Sequence, residues 1–292
     1  MGATTVAEAG RNHPLPESPG RGLWLWLFAG LVAGLIVVLY FRILPEMAKD
    51  WWDDPGASHG ILIPPVALYI AWLRRDLTLA EPVFPDLRGL WLTLCACLML
   101  LVGILGAEYF LSRASFVLLL AGLIWTFWGV RRFRTLLFPL VLLLTMIPLP
   151  QVTYNTLAAP LQLMASSVAT RLVQALGIAV YQDGNVIHLA GISLGVAEAC
   201  SGLRSLSSLV TAALMVGFLQ CTRIRTRVLL VALSIPVAIG MNVVRVTGTA
   251  LIAEYNQQYA LGYYHSFSGW LVFLVGFGVV ALAAKLLHAW ME

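Results

Sequence analysis

Residues 23–44 read LWLWLFAGLVAGLIVVLYFRIL, and this stretch decides the class of fold. About 20 consecutive apolar residues are enough to cross the hydrocarbon core of a bilayer as a helix. The stretch is too long for the apolar core of a signal peptide, and no small-residue cleavage pattern follows it. It therefore predicts a membrane-spanning helix that is retained in the protein.

The composition of the whole chain agrees with a membrane protein. Hydrophobic residues make up 60% of the 292 residues and charged residues 11%, whereas soluble domains contain about 45–50% and about 25%. A soluble fold of this size cannot hide so much apolar surface, so a soluble enzyme and a disordered chain are excluded. The arginines lie in short clusters between apolar runs, which indicates membrane topology, and no nucleic acid partner is expected.

Further apolar runs predict an all-α integral membrane protein with about eight transmembrane helices. After the first span, they are 59–73, 89–107, 110–129, 133–149, 203–220, 228–253 and 266–288. Residues 1–22 are polar and rich in proline, which predicts a disordered cytoplasmic tail. The remainder, 23–292, is expected to form a single membrane domain.

Arginine clusters predict the orientation of the spans. If the N-terminus is inside, the clusters RRFR at 131–134 and RIRTR at 223–227 both lie on the cytoplasmic side. An even number of spans then places both termini in the cytoplasm. The segment 150–200 becomes the one long stretch on the outer side.

This outer segment has two parts. The apolar residues of its first half share one helical face: Leu157, Leu161, Met164, Val168 and Leu172. Such a face predicts an amphipathic helix lying on the outer leaflet. Residues 180–189 then predict a β-hairpin with Asp183 and Gly184 in a type I′ turn, and alternation over 192–196 adds a third strand. The segment is therefore expected to hold an amphipathic helix and a small β-meander, between spans five and six.

Cys200 is the candidate nucleophile. It stands where the meander enters the sixth span, and we expect it at a helix N-terminus, where backbone amides and the helix dipole favour a thiolate. Arg204 would follow one turn later on the same face and add positive charge. Burial in lipid would act in the opposite direction. A small cysteine that only packs at a helix start remains an equal alternative.

Arg245 lies in the outer half of the seventh span, where an arginine needs a polar cavity or a partner. Asn242 flanks it on the same helical face. Two interpretations stay open. The guanidinium forms a structural pair with Glu198 or Glu254, or it binds a substrate carbonyl or an oxyanion.

Two histidines face the same side on the predicted topology. His265 opens the eighth span after two tyrosines, so both an amphipathic anchor and a catalytic base are open. A cysteine on the same side favours the base, because a Cys–His pair is the minimal activated thiol. His59 opens the second span, and a capping role is favoured for it over direct catalysis. No metal-binding motif or phosphate loop is present, so no metal and no cofactor is expected.

Three segments carry a resemblance to a known family. They read AEACSGLRSLSSL at 197–209, NVVRV at 242–246 and HSFSGW at 265–270, in this order. Together they resemble the exosortase/archaeosortase family. Other similar segments are SHGILIPPVALY at 58–69, MIPLP at 146–150, PLQLMASS at 160–167 and GNVIHL at 184–189. The resemblance covers about residues 51–290.

The resemblance implies a membrane thiol transpeptidase of the bacterial inner membrane, with its active site facing the periplasm. It implies that Cys200, Arg245 and His265 are the catalytic residues. The implied substrates are proteins with a C-terminal sorting signal, made of a Pro-Glu-Pro motif, a hydrophobic span and a basic cluster. These proteins are the expected partners, and a membrane lipid is a candidate acceptor. Supporting or substrate-binding roles are expected for Arg204, Glu198, Asn242 and His59.

Two other classes of function remain as alternatives to this one. A non-enzymatic transporter or channel would use Arg245 as a substrate-binding charge, but the sequence has no two-half symmetry. An intramembrane serine protease would use Ser201, but no second histidine lies near the middle of a span.

Overall fold

The computed structural model describes residues 19–196, 202–256, 258 and 263–291, and in them all side chains except those of 19–25 and 263–266. The predicted tail, 1–22, therefore lies largely outside the described residues. Its last four residues form the first turn of a helix, since α1 begins at Pro19.

The described residues form helices, one 3₁₀ segment and three short strands. In chain order the elements are α1 (Pro19–Tyr40), α2 (Ile43–Asp53), a 3₁₀ helix (Ser58–Leu62), α3 (Ile63–Leu73), α4 (Arg75–Ala80), α5 (Gly89–Leu105), α6 (Tyr109–Leu144), α7 (Gln151–Ala175), β1 (Val180–Asp183), β2 (Val186–Leu189), β3 (Ser193–Gly195), α8 (Leu203–Gln220), α9 (Ile224–Tyr255) and α10 (Tyr263–Met291). The first of two compact units ends at Arg42 and contains α1; the second begins at Ile43 and contains the other elements.

Helix α6 is a hairpin of two arms. At Gly129 the backbone has φ 84° and ψ 167°, which no helical residue adopts. A side chain there would collide with the carbonyl oxygen of Phe84. Phe110 and Leu144, at opposite ends of α6, line the same cavity, whereas the ends of a straight 36-residue helix would lie about 50 Å apart. The predicted runs 110–129 and 133–149 are therefore the two antiparallel arms.

Several helices are long and apolar enough to cross a membrane. Among the described residues these are α6, α8, α9 and 267–291 of α10, with a fifth if Trp26–Tyr40 and Ile43–Asp53 are taken together as one span. Ser58–Leu73 and α5 are apolar but shorter. The chain is thus a mostly helical membrane protein with a small sheet, and the predicted number of eight spans is not confirmed.

The predicted first span, 23–44, does not form one helix. Helix α1 ends at Tyr40 and α2 begins at Ile43, so the break falls beside Arg42, the charged residue of the run. Helix α2 belongs to the second unit and carries Glu46, Lys49 and Asp50.

Helix α7 forms as predicted, and it contacts the rest of the protein through its small residues. The leucines and methionine at 157, 164 and 172 are exposed. Instead, Ala165, Ala169 and Val173 are buried in one cluster with Val246 and Ala250 of α9. Small residues let two helix backbones approach closely, and α7 therefore packs against α9 through its small side chains.

The three-stranded sheet confirms the predicted meander, with strand order β1-β2-β3 and both pairs antiparallel. Asp183 pairs with Val186, so the two loop residues are Gly184 and Asn185. Gly184 has φ +58°, while Asn185 does not have a positive φ. A type I′ turn needs positive φ at both loop positions and type II′ only at the first. The predicted type I′ turn at Asp183-Gly184 is therefore wrong by one residue and in type.

Candidate active site

The central residues of the predicted site are only partly described. Glu198, Cys200 and Ser201 lie outside the described residues, and the side chain of His265 does as well, although its backbone belongs to α10. The residues that flank them are described. These flanking residues show how the three motif segments lie relative to one another.

The segment that follows Cys200 packs directly on α9. Gly202 is the N-cap of α8 and has φ +80°. A Cβ atom added to it would lie 2.7 Å from Cγ and 2.8 Å from Nδ2 of Asn242. Asn242 is only 3% exposed and cannot move away into solvent. The backbone two residues after Cys200 therefore touches the helix that carries Arg245.

Helix α8 covers the residues of the predicted sixth span, 203–220. Its first residue is Leu203, and the backbone N–H of Leu206 donates to the carbonyl of Gly202 at 2.8 Å. The expectation that Cys200 and Arg204 share one helical face required a helix that already includes Cys200. Arg204 lies in the first turn of α8, whereas Cys200 lies outside the described residues, so that relation stays a prediction.

Arg245 contacts the helix that carries His265. Its guanidinium lies over the backbone of Gly269, where an added Cβ would be 3.1 Å from both Cζ and Nη2. Gly269 stands one helical turn after His265 in α10. Asn242 and Arg245 are three residues apart in α9 and therefore on one face. Helices α8, α9 and α10 all pack against one another, so the three motif segments meet at one place.

A cavity of about 460 Å³ opens beside the start of α8. Its polar lining residues are Asp54, His59, Thr145, Gln151, Tyr154, Arg204, Ser207 and Thr211, and much of the remaining wall is apolar, including Phe110, Leu144, Met146, Ile147, Pro148, Leu149 and Val210. A concave, mostly apolar space with a few polar groups is typical of a ligand site. The candidate residues His59 and Arg204 share this space, although 145 positions separate them in the sequence.

Two side chains hold the wall of this cavity where α6 ends. Nε2 of His59 lies 3.2 Å from the carbonyl oxygen of Thr145, and Nε1 of Trp51 donates to the carbonyl of Met146 at 2.8 Å. The last carbonyls of a helix lack partners within the helix, and these two side chains satisfy carbonyls just beyond it. A Cβ on Gly60 would collide with the indole of Trp51. Trp51 is thus a packed structural residue.

Arg204 brings a positive charge to the cavity. Nε of Arg204 is buried and has no hydrogen-bond partner. Among the residues that the structure describes, no carboxylate forms an ion pair with this guanidinium. Asp54 lines the same cavity, but one of its oxygens accepts the backbone N–H of Gly56 at 2.7 Å.

Sequence reasoning missed an ion pair beside the cavity, between a buried arginine and a half-exposed aspartate. Arg113 is 6% exposed, and its Nη2 lies 2.6 Å from Oδ2 of Asp50. Its guanidinium also lies 5.6 Å from the ring centre of Tyr109. The position of Arg113 inside the apolar run that begins at 110 could have predicted this pair, because an arginine within a span needs a partner.

The ion pair lines an acidic cleft of about 730 Å³ that adjoins the cavity. The carboxylates of this cleft are Glu46, Asp50, Asp53, Asp54 and Glu108. Within the described part of the chain, no group of three or more His, Cys, Asp or Glu side chains is placed to hold a metal ion.

The arrangement can be compared with known protein families. A model of the transmembrane exosortase family matches residues 51–282. The chain belongs to this family. The comparisons with curated proteins and with solved structures gave no match. The matched range contains every candidate residue and runs from the end of α2 into α10, so the resemblance seen in the motifs is confirmed. Membership implies an enzyme of the protease or transpeptidase type that acts in a membrane on proteins with sorting signals.

Proposed function

We propose that this exosortase is a cysteine transpeptidase that cleaves a C-terminal Pro-Glu-Pro-type sorting signal and transfers the exported protein to an acceptor, for which a membrane lipid is a candidate. The observation that supports the proposal most is the pair of contacts between motif segments. Gly202 packs on Asn242, and Arg245 packs on Gly269. A thiol, a guanidinium and an imidazole from three distant segments are the groups that such a reaction requires.

In the proposed reaction the thiol of Cys200 gives its proton to His265, and the resulting thiolate attacks the carbonyl carbon of the scissile peptide bond. The oxygen of the tetrahedral intermediate becomes negative, and Arg245 donates hydrogen bonds to it. The C–N bond then breaks as His265 gives its proton to the leaving amine. A thioester to Cys200 remains. An acceptor nucleophile attacks this thioester, loses its proton to His265 and regenerates the thiol.

We further propose eight spans, both termini in the cytoplasm, and an active site that faces the periplasm of a bacterial inner membrane. The hairpin of α6 supports this topology, because its two ends line the cavity while its turn at Gly129 lies at the opposite end. The RRFR cluster at 131–134 follows that turn directly. The second cluster, at 223–227, follows the end of α8 that is remote from the cavity. Both clusters are therefore on the side opposite to the site, as the positive-inside rule favours.

Cysteine substitutions test the nucleophile. Co-expression of a reporter with the sorting signal, followed by mass spectrometry of its new C-terminus, should show cleavage by the native enzyme and none by Cys200→Ala at equal membrane abundance. Cys95→Ala is the matched control, because Cys95 is an exposed residue of α5, outside the motif segments. Normal cleavage by Cys200→Ala would contradict the thiol mechanism and favour a transporter or another nucleophile.

The geometry of Arg245 is tested by Arg245→Lys. Lysine keeps the charge but lacks the planar fork of donors. If Arg245 stabilises the oxyanion, the variant should insert normally and cleave about 10²–10³ times more slowly. Full activity would remove Arg245 from the catalytic residues. If removal of the Arg245 charge, as in Arg245→Ala, depletes the protein from the membrane and Arg245→Lys restores it, Arg245 forms a structural ion pair instead.

A further inference from the structure

The guanidinium of Arg204 lies in a cavity where, among the described residues, no carboxylate forms an ion pair with it, although Asp54 also lines this cavity. The walls near it are largely apolar. A charge without a counterion is expensive in such surroundings unless a partner arrives. Ser207 and Thr211 also line the cavity, and they follow Arg204 by three and seven residues, so they project from the same face of α8. This face of α8 therefore presents one guanidinium and two hydroxyl groups to a ligand in the cavity.

We propose that Arg204 is a substrate-binding residue that pairs with a side-chain carboxylate of the processed peptide, close to the scissile bond. The inference rests on the proposed function and adds to it the residue that selects the substrate. A guanidinium matches a carboxylate with two parallel hydrogen bonds, which gives geometric selectivity as well as binding energy. The cavity then accepts an acidic side chain together with its apolar neighbours.

The position of the cavity explains why the carboxylate lies near the bond that is cleaved. Leu203 and Arg204 line the cavity, and Gly202, which precedes them, stands two residues from Cys200 in the sequence. A peptide residue adds at most about 3.3–3.6 Å when the chain is extended. A carboxylate held by Arg204 is therefore only a few peptide residues away from a carbonyl within reach of Cys200.

The adjoining acidic cleft strengthens the selectivity of this site. Its five carboxylates would repel an acidic peptide side chain that tried to bind there. The Arg113 guanidinium in that cleft is already paired with Asp50 at 2.6 Å. Lys49 also lines that cleft, among the five carboxylates. Of the described residues that line the cavity beside α8, Arg204 is the arginine or lysine that an incoming carboxylate can meet.

A double-mutant cycle tests the pairing. The enzyme forms are native and Arg204→Gln, and the reporter carries either the native Glu of its sorting signal or Gln at that position. Arg171→Gln is the matched control, because Arg171 is an exposed arginine of α7 that does not line the cavity. Initial rates of reporter cleavage are measured at equal membrane abundance for every combination.

With the native enzyme, the Glu-to-Gln reporter should be cleaved about 10 to 100 times more slowly, as expected when a hydrogen-bonded charged pair is lost. With Arg204→Gln, both reporters should be equally slow, and Arg171→Gln should behave as the native enzyme does. An Arg204→Glu enzyme should cleave a Glu-to-Lys reporter faster than it cleaves the native reporter.

The inference would be overturned if Arg204→Gln cleaved both reporters more slowly than the native enzyme by the same factor. The ratio of the cleavage rate of the Glu reporter to that of the Gln reporter would then be unchanged. This result would show that Arg204 binds an acid of its own chain or a lipid phosphate, while the proposed function would stand. If the native enzyme leaves the unaltered reporter uncleaved, the proposed function fails and this inference fails with it.

Discussion

Substituting Gly202 by alanine tests whether the segment after Cys200 is held against α9. A non-glycine residue in the left-handed region costs about 1–2 kcal/mol. Gly177→Ala is a matched control, because Gly177 has φ +83° and an added Cβ there would meet nothing within 4 Å. The control therefore measures the backbone strain alone. At Gly202, with φ +80°, the same strain applies and a steric term is added to it.

The steric term follows from the surroundings of Gly202. The added Cβ would lie 2.7, 2.8 and 2.9 Å from three atoms of Asn242, all well inside van der Waals contact. Because Asn242 is buried, either its side chain or the N-terminus of α8 has to shift. Overpacking of this kind costs about 1–3 kcal/mol. The sum for Gly202→Ala is therefore about 2–5 kcal/mol, against about 1–2 kcal/mol for Gly177→Ala.

The assay combines thermal melting of the detergent-purified variants with cleavage of the reporter. We expect Gly202→Ala to melt at a lower temperature than Gly177→Ala and to lose reporter cleavage, since the segment that carries Cys200 is displaced from Arg245. Gly177→Ala should cleave normally. Equal melting temperatures together with full cleavage by Gly202→Ala would refute the contact, and with it the convergence of the motif segments.

Two further predictions follow from buried contacts. Gly269→Ala should press on the guanidinium packed over it and reduce reporter cleavage at normal membrane abundance, whereas Gly278→Ala in the same helix, where a Cβ meets nothing within 4 Å, should have no effect; equal rates would contradict the packing. Asp50→Asn should leave the buried Arg113 without its ionic partner and lower the free energy of unfolding by about 1.5–3 kcal/mol, while Asp76→Asn, in a largely exposed pair, should cost about 0–1 kcal/mol in the same melting experiment.

The helices were largely predictable from the sequence. A long apolar run has to satisfy its backbone hydrogen bonds within itself in lipid, and a helix does so. The runs that became α5, α8, α9 and α10 illustrate this. The two arms of α6 were predicted as separate runs, but the contact at their turn was not, because it depends on the fit of Gly129 beneath the carbonyl of Phe84, a residue from another segment.

The packing face of α7 shows a second limit. Hydrophobic periodicity selects the leucine face, which a helix in water would bury. In lipid, leucine gains nothing by leaving the hydrocarbon, while close approach of backbones depends on small residues. Ala165 and Ala169 therefore pack on α9, and Leu157 and Leu172 stay exposed. The two leucines, which were predicted to face the outer leaflet, thus stay exposed, while the small-residue face that contacts α9 was not predicted.

The candidate site was predictable in its chemistry but not in its contacts. Arg245 was identified because an arginine at membrane depth needs a polar cavity or a partner. The glycines that bring the segments together, Gly202 and Gly269, gave no such signal, because what matters at these positions is the missing side chain. The cavity around Arg204 and His59 was equally inaccessible, since its walls come from segments that are remote in the sequence.

The parts of the site lie far apart in the sequence, and their order affects when the site can form during translation. The motif segments lie between Cys200 and Gly269, whereas much of the cavity wall comes from Asp54–His59 and Leu144–Tyr154. During translation the N-terminal part emerges and folds first, so the α6 hairpin can insert while α8, α9 and α10 are still unmade. The thiol then meets its proposed partners only when the last helix arrives. A nascent chain that stops before α10 would be inserted but chemically inert, and activity would begin only after α10 has been made.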